Sequence, residues 1–369
     1  MSRNGTGPMI RPMSEMACHR LTSGRRRLVA ISRREFVGRA KALVAGLALV
    51  RRQEMGPPAP APVAVAVVKE HSRSAAVRRA VELLGPLDLA GKEVFLKGSY
   101  NSADPFPAST HTETLRALVK QLREAGATRI TLVERSGMGV TSEVWRDLGV
   151  PSDLRDLEVA LVPLDTLEPG RWRREPLPGS HWEHGVEVPE FLTRDSCVVQ
   201  VCNLKTHRFG GVFSASLKNS VGLVAKWGRV NDSPYNYMEE LHASPDQRLM
   251  IAELNQVYAP ALVVMDAWRV FVEGGPDSGL EAQPGAVLAS TDRVAIDAAG
   301  LALLRLCGGR PALGGAEIFE QEQIKRAAEM GLGVKSAKDI RLVPGDEAAR
   351  LLALQISASL VEPVPPEKP

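Results

Sequence analysis

The chain has 369 residues, a length that suits one large domain or two ordinary ones. Hydrophobic residues make up 44% and charged residues 24%, which excludes a disordered chain and predicts a packed globular core. A formal net charge of only +3 and an aromatic content of 5% argue against a base-stacking surface, so no nucleic-acid partner is expected.

Residues 1–62 form a basic segment in which Arg33 and Arg34 precede Phe36 and an apolar run. This order, Ser-Arg-Arg-x-Phe before a modest hydrophobic stretch, is typical of a twin-arginine export signal. The run at 42–50 is too short to cross a bilayer about 30 Å thick, so no stable membrane span is expected. We expect handling by the twin-arginine export machinery and a periplasmic or other extracytoplasmic location. The alternative is a basic helix or disordered tail on a cytoplasmic protein.

From residue 63 onward the chain alternates between strand and helix patterns. The first predicted elements are a strand at 63–68, a helix at 74–85, a strand at 92–98, a helix at 109–126 and a strand at 128–134. Ser109 or Thr110 is expected to cap the second helix, which Gly126 ends.

The stretch from about 150 to 195 is rich in Pro, Trp and charge, which predicts an irregular insertion or lid. Further predicted elements are a strand at 195–204, a helix at 244–259, strands at 261–268 and 285–291, and helices at 292–308 and 317–331. This alternation predicts an α/β fold whose mostly parallel sheet is flanked by helices. The expected divisions are a signal and linker at 1–62, an α/β domain at 63–345, and a C-terminal helix and tail at 346–369.

Cys197 and Cys202 stand five residues apart in a predicted strand, so their side chains should lie on opposite faces and not pair. No Cys-x-x-Cys run occurs, and the sequence therefore carries no local iron–sulfur or zinc-ribbon motif. The cofactor stays unknown at this point.

Polar side chains gather where predicted strands end, the edge at which open α/β sheets bind ligands. Lys97 ends one strand, and His111 stands near the start of the next helix. Because a helix N-terminus attracts negative charge, the two side chains indicate an anion site. A capped helix after an ordinary loop is the alternative.

The stretch at 201–228 contains Lys205, His207, Lys218 and Asn219 but no acidic residue. Lysines are seldom buried without a partner, so lysines among small residues predict a counter-charge from a ligand or a distant segment. A solvated loop is the alternative interpretation.

Two later segments add candidates. Asp266 is expected at the end of a strand, and Gly275 in the following Gly-Gly-Pro-Asp-Ser-Gly run can approach a ligand through its backbone. Asp292 is expected as a helix N-cap, and Asp297 falls inside that helix. His242 is a further candidate.

Side chains that suit a hard or borderline cation are also present, namely His111, His207, His242, Asp266 and Asp297. None of their spacings is diagnostic of a metal site, so no metal ligand is assigned. A metal-dependent enzyme stays an alternative to a basic anion pocket.

These segments, in this order, resemble the domain of unknown function 362 family over about residues 63–305. The matching pieces are VFLKGSYNSADPFPASTHTETLRALVKQLREAGA, CNLKTHRFGGVFSASLKNSVGL, VVMDAWRVFVEGGPDSG and VLASTDRVAIDAAG. The resemblance implies that the family's motif positions are Lys97, His111, Lys205, His207, Lys218, Asn219, Asp266, Gly275, Pro276, Asp292 and Asp297. Where relatives have Lys-Pro-Asn, this chain has Lys97 followed by Gly-Ser.

Many members of that family carry an attached ferredoxin-like iron–sulfur segment. Since this chain lacks the cysteine runs, the resemblance implies that any iron–sulfur role would need a ferredoxin-like partner.

We therefore expect one cleft at the carboxyl edge of the sheet that acts on a small carboxylated or phosphorylated compound. The expected catalytic residues are His207, His111 and Lys218, and the expected substrate-binding residues are Lys97, Lys205, Asn219, Asp266 and Gly275. Asp266 or Asp297 is expected to orient a base or hold a cation. The alternative is a non-catalytic anion-binding protein or a redox partner of an iron–sulfur protein.

Overall fold

The computed structural model describes residues 61–361, which form an α/β fold around one large sheet. The predicted twin-arginine signal and the end of the C-terminal tail lie outside the described residues. No described helix combines the length and the apolar character needed to cross a membrane.

Strands account for much of the described chain. They are β1 (Val63–Val68), β2 (Glu93–Lys97), β3 (Arg129–Glu134), β4 (Ala160–Pro163), β5 (Trp172–Glu175), β6 (Val186–Pro189), β7 (Cys197–His207), β8 (Val212–Ser214), β9 (Trp227–Val230), β10 (Ser233–Asn236), β11 (Pro260–Gly274), β12 (Gly279–Ala282), β13 (Ala286–Ser290) and β14 (Ile340–Pro344).

The central sheet of residues 61–361 has ten strands, eight of them in the order β14-β1-β13-β11-β7-β2-β3-β4. Along this path β13 runs antiparallel to both β1 and β11, while the other neighbouring pairs are parallel. The short strands β8 and β12 extend β7 and β11 as antiparallel partners. The predicted mostly parallel sheet is confirmed.

Helices cover both faces of this sheet. They are α1 (Arg73–Glu82), α2 (Thr112–Glu124), α3 (Thr141–Asp147), α4 (Val150–Asp153), α5 (Ser216–Asn219), α6 (Tyr237–Ala243), α7 (Gln247–Glu253), α8 (Arg293–Leu304), α9 (Arg310–Leu313), α10 (Glu322–Glu329) and α11 (Glu347–Val361). Apolar side chains of α1 and α2 pack on one face, and those of α8 and α11 pack on the other. Alternate residues of each strand supply the two cores, since successive side chains point to opposite faces.

Cys197 and Cys202 follow this alternation. Cys197 packs against the core under α1 and α2, and Cys202 lies in the core under α8. Both thiols are free, as the odd spacing predicted.

Two strands run further than their apolar patterns predicted. β7 continues to His207 because its end pairs with β8, and β11 continues to Gly274 because its end pairs with β12. Asp266 therefore lies inside β11 instead of at its carboxyl end. The predicted strand end at this position is wrong.

Two other local expectations need correction. The irregular stretch at 150–195 contains β4, which joins the main sheet beside β3, and a separate hairpin of β5 and β6. The N-cap of α2 is His111, whose ring accepts the N–H of Glu113 at 3.1 Å. Thr110 does not cap the helix, because its hydroxyl accepts the N–H of Ser99 instead.

The strand order creates a crevice between β2 and β7. The strand that follows β2 in the sheet is β3, on one side of this crevice. The strand next to β7 is β11, on the opposite side. Connections that depart in opposite directions leave a gap at the carboxyl ends of the two strands, and ligands of open α/β sheets bind in such gaps.

Candidate functional site

A cavity of about 300 Å³ opens at this crevice. Its wall comes from the carboxyl ends of β2, β3 and β7, from α5 with its flanking residues, and from both ends of α6. The polar and charged residues that line it include Lys97, Glu134, Arg135, Asn203, Lys205, His207, Lys218, Asn219 and His242. The fold thus brings together candidates that are far apart in sequence, such as Lys97 and Lys218, which are separated by 121 residues.

The ammonium of Lys97 is bound by other groups of the protein. Its ammonium lies 2.8 Å from the carboxylate of Glu134 and also donates to Gly98 O at 2.6 Å and Asn219 Oδ1 at 3.2 Å. Burial lowers the pKa of Lys97 and raises the pKa of Glu134. Whether the proton sits on the amine or on the carboxyl, this pair has no net charge.

Gly222 packs directly onto this pair. A Cβ atom at position 222 would overlap Glu134 Oε1 and Lys97 Nζ. The glycine of the Leu-Lys-Asn-x-x-Gly segment is therefore required by space, since any side chain would displace the buried pair. The contact fixes the segment after α5 against β2 and β3.

Asn219 braces the same wall. Its Oδ1 atom accepts from Lys97, and its Nδ2 atom donates to Val201 O at 3.4 Å. Because its Oδ1 atom accepts from the Lys97 ammonium, Asn219 helps to hold Lys97 in place. The hydrogen bond from Nδ2 is long, and its acceptor is a backbone carbonyl of the protein itself.

Lys205 is buried deep in the wall, with 3% of its surface exposed. Its ammonium donates to the carbonyl oxygens of Ala108 and, at 3.3 Å, Pro107. No carboxylate of residues 61–361 lies within ion-pair distance of it. Burial, followed by the charge of Lys218, lowers the pKa of Lys205 to about 7.

Lys218 is partly exposed and lines the cavity from α5. Among the described residues its amine has neither a hydrogen-bond partner nor an ion-pair partner. Burial of the amine, followed by the charge of Arg135, lowers the pKa of Lys218 to about 8.

Arg135 adds a third uncompensated positive charge. Its guanidinium donates to the carbonyl oxygens of Val224 at 2.7 Å and Val221 at 2.9 Å, and its backbone N–H donates to Gly222 O. These bonds use neutral acceptors, so they position the loop after α5 without neutralising the charge. Burial lowers the pKa of Arg135, whose carboxylate neighbour Glu134 is already paired with Lys97.

Buried polar atoms of the wall that lack partners include one of Asn203 and one of His207. Asn203 donates to Pro107 O at 2.9 Å, but its buried Oδ1 atom has no hydrogen-bond partner within residues 61–361. The Nδ1 atom of His207 is also buried without one. Unsatisfied buried polar atoms are uncommon, and at a cavity they mark positions that a ligand or water would satisfy.

His207 is a neutral imidazole. Burial first, and then the charges of Lys218 and Lys205, depress the pKa of His207 far below its usual value. A neutral ring offers one nitrogen that accepts and one that donates. Its buried Nδ1 atom has no hydrogen-bond partner among residues 61–361.

His242 stands at the exposed rim. Its Nδ1 atom lies 2.6 Å from Met238 O, and because a carbonyl only accepts, that nitrogen carries the proton. The Nε2 atom of the neutral ring is then an acceptor. Burial lowers the pKa of His242.

Asp297 holds the start of α5 in position. Its carboxylate accepts the backbone N–H groups of Ser216 at 2.7 Å and Leu217 at 2.9 Å, and the Ser216 hydroxyl donates to Gln200 Oε1. Burial raises the pKa of Asp297 to about 7. Asp297 does not line the cavity, so its contact with the site runs through the backbone that carries Lys218.

Two predicted site residues, Asp266 and His111, lie away from the cavity. Asp266 is buried between β11 and the helices α1 and α2, where it pairs with Arg73 at 3.0 Å and accepts the Thr114 hydroxyl. His111 caps α2 and packs on the Phe106 ring.

Gly275 supports the wall without lining it. Its φ of +62° suits glycine, and a Cβ there would overlap Thr206 O beside His207. The next residue, Pro276, lines the cavity.

The sequence interpretation missed Glu134, Arg135 and Asn203. Glu134 closes β3 and Arg135 follows it, so the strand-end rule that singled out Lys97 would have found both. Asn203 lies in the same strand as Lys205, two residues earlier, and therefore on the same face.

The described cysteines do not fit an iron–sulfur cluster. Cys197 and Cys202 pack on opposite faces of the sheet, Cys307 lies beyond α8, and none of them lines the cavity. Within residues 61–361 no group of three or more His, Cys, Asp or Glu side chains is arranged to hold a metal ion.

A family model described as domain of unknown function (DUF362) matches residues 94–302, more than half of the chain. The chain belongs to this family. No curated protein that was compared matches it significantly. The DUF362 match runs from β2 into α8 and contains all the residues that line the cavity, as well as Asp297. The match places the whole site in the part of the chain that defines the family.

Proposed function

We propose that this DUF362 protein binds a small carboxylated or phosphorylated compound in the cavity and acts on it by proton transfer. The observation that carries the proposal is that Lys205 and Lys218 line one cavity and neither has a carboxylate partner among residues 61–361. An ammonium taken out of water without a counter-ion is costly, so the site favours a negatively charged guest.

The charge balance of the wall supports an anion. The Lys97 and Glu134 pair is neutral as a whole, which leaves Arg135, Lys205 and Lys218 as the source of the field. At neutral pH this field is positive inside the cavity. A carboxylate or phosphate would lower the energy of each of these groups at once.

The histidines support chemistry beyond binding. A neutral His207 beside two ammonium groups is a base whose protonated form becomes more favourable once an anion cancels their charge. Substrate binding would thereby raise the pKa of His207 and prepare it to take a proton. Lysines aimed at the substrate would stabilise negative charge that develops in the transition state.

Calorimetric titration with oxalate and with inorganic phosphate tests the binding step. We expect saturable binding to the wild type and a loss of at least tenfold in affinity for Lys218→Ala, with an unchanged circular dichroism spectrum. Equal affinities for every anion in both proteins would contradict the proposal. A substrate screen separates the enzyme from a non-catalytic anion-binding protein, because only the enzyme releases a product, whereas both are stabilised against heat.

The proposal includes export by the twin-arginine route, supported by the Ser-Arg-Arg-x-Phe order at residues 32–36. Cell fractionation of the wild type and of Arg33→Lys/Arg34→Lys tests this. Retention of the double variant in the cytoplasm, with the wild type outside it, is the expected result.

A further inference from the structure

The three cavity lysines differ in how firmly they are held. Lys97 has a carboxylate, an amide oxygen and a carbonyl as acceptors, and Lys205 has two carbonyls. Lys218 has no partner among the described residues, and it is also the most exposed of the three. A lysine can act as a nucleophile only if its side-chain nitrogen is free to approach a carbon atom. Of the three cavity lysines, Lys218 alone meets this condition.

We propose that Lys218 is a covalent nucleophile whose amine forms an imine with the carbonyl carbon of a small 2-oxo carboxylate. The inference rests on the proposed function, because the carboxylate of the same compound is the anion that the site attracts. It narrows the substrate class from small anions in general to those with a ketone or aldehyde carbon.

The surroundings of Lys218 favour the reactive form of its amine. An amine attacks only when it is unprotonated, and enzymes obtain such lysines by burial or by a neighbouring cation. Both causes operate here, since burial and Arg135 lower the pKa of Lys218 to about 8. The nearby titratable groups Lys205, His207 and His242 are cationic or neutral, so none of them pulls the proton back onto the amine.

The groups needed for the proton steps also line the cavity. The Lys218 nitrogen adds to the carbonyl carbon as the C–O double bond opens, and His207 moves one proton from the nitrogen to the oxygen. The resulting carbinolamine loses its hydroxyl as water, with one proton supplied by the Lys205 ammonium. In sum, amine, carbonyl and one proton give a protonated imine and water, with no oxidant or reductant.

Reductive trapping tests this step. Pyruvate and sodium cyanoborohydride are incubated with the full chain at pH 7.5, and the product is read by intact mass and peptide mapping. Hydride addition to the imine carbon leaves a stable secondary amine, so we expect one adduct per chain, on Lys218. Oxalate, which has no ketone or aldehyde carbon, should compete with pyruvate and slow the trapping.

Two variants make the result specific. Lys218→Arg keeps the positive charge but forms no imine, so oxalate binding should persist while the adduct disappears. The exposed Lys92→Arg should give the same adduct as the wild type. The wild-type peptide map reads the modified residue directly and does not depend on the folding of any variant.

The outcomes separate the two proposals. Oxalate binding without a pyruvate adduct, or adducts spread over surface lysines, overturns the covalent role and leaves anion binding intact. Absence of both oxalate binding and trapping overturns the proposed function together with this inference. A single adduct at Lys218 that oxalate suppresses supports both.

Discussion

The carboxylate of Asp297 accepts the backbone N–H of Ser216 at 2.7 Å, across 81 residues of sequence. Because Lys218 lies two residues further along the same short helix, the position of its amine depends on a carboxylate that never touches the cavity. Asp297 is thus a positioning residue, and this role can be separated from direct contact with a bound anion.

Asp297→Asn should weaken anion binding by about tenfold or more without removing any group from the cavity wall. One carboxylate acceptor becomes an amide donor that opposes a backbone N–H, which costs about 1–3 kcal/mol for a buried group. Titration with oxalate and thermal unfolding measure the two effects. Asp292→Asn, which alters the N-cap of the same helix, is the control and should change stability more than affinity.

Anion affinity should fall as the pH rises from about 6 to 9. The pKa of Lys205 is about 7 and that of Lys218 is about 8, so both ammonium groups are charged at pH 6 and both are mostly neutral at pH 9. Each lysine that must be charged for binding contributes up to about tenfold in affinity per pH unit above its pKa. Calorimetry with oxalate, whose charge is constant in this range, provides the measurement.

The matched variant for this pH profile is Lys218→Arg. Arginine stays protonated throughout the range. The fall in anion affinity that is caused by deprotonation at position 218 should therefore vanish, whereas the fall caused by Lys205 should remain. A profile that is flat in the wild type would show that neither lysine contacts the anion.

The stability of the unliganded protein should rise with pH between about 7 and 10. The folded state lowers the pKa of Lys205 from 10.5 to about 7, so within this window the unfolded chain binds more protons than the folded one. Relative to Lys205→Met, the free energy of unfolding of the wild type should therefore increase with pH, by on the order of 3 kcal/mol in total.

Chemical denaturation at several pH values checks this slope. The exposed Lys226→Met serves as the control and should follow the wild type in parallel. An identical pH slope for the wild type and Lys205→Met would contradict the assigned burial of this amine.

Lys97 and Glu134 should act as one unit in unfolding experiments. Removing one member of a buried pair leaves the other uncompensated, and either Lys97→Met or Glu134→Leu should cost about 3–5 kcal/mol. The double variant should cost clearly less than the sum of the two, because no buried charge is left behind. A double-mutant cycle by urea denaturation measures the coupling, and strict additivity would rule it out.

The sequence predicted the sheet well because its buried strands are continuous apolar runs and its helices have clear periodicity. β1 was predicted at its observed bounds, and β2 and β3 to within one residue at each end. The same rule, that ligands bind where parallel strands end, led to Lys97, Lys205 and His207. All three line the cavity.

The incorrect predictions concern strand pairing and strand direction, which are long-range features that a linear sequence pattern does not contain. Asp266 was expected at a strand end, but β11 pairs with β12 and continues past it, and that long-range pairing leaves no local signal. Asp292 and Asp297 follow β13, whose direction is reversed relative to β11. The end of β13 is therefore at the opposite edge of the sheet, and the sequence gives no indication of this reversal.

The anion-binding role expected for Lys97 also illustrates the limit. Its partner Glu134 comes from the neighbouring strand, 37 residues away, and only the strand order places the two side by side. The absence of acidic residues from the segment at 201–228 was informative, since neither Lys205 nor Lys218 has a carboxylate partner among residues 61–361, but it carried no information about Lys97, which lies outside that segment.

Met138 and Phe209 line the same cavity but keep 55% and 46% of their surfaces exposed. Their apolar side chains make no hydrogen bond with the buried polar groups of the wall, although the ring of Phe209 packs edge-on against that of His207. Exchange of these two rim side chains would reshape the entrance at little cost to folding. The architecture therefore separates foldability from ligand preference, which makes this site a suitable starting point for redesigning selectivity.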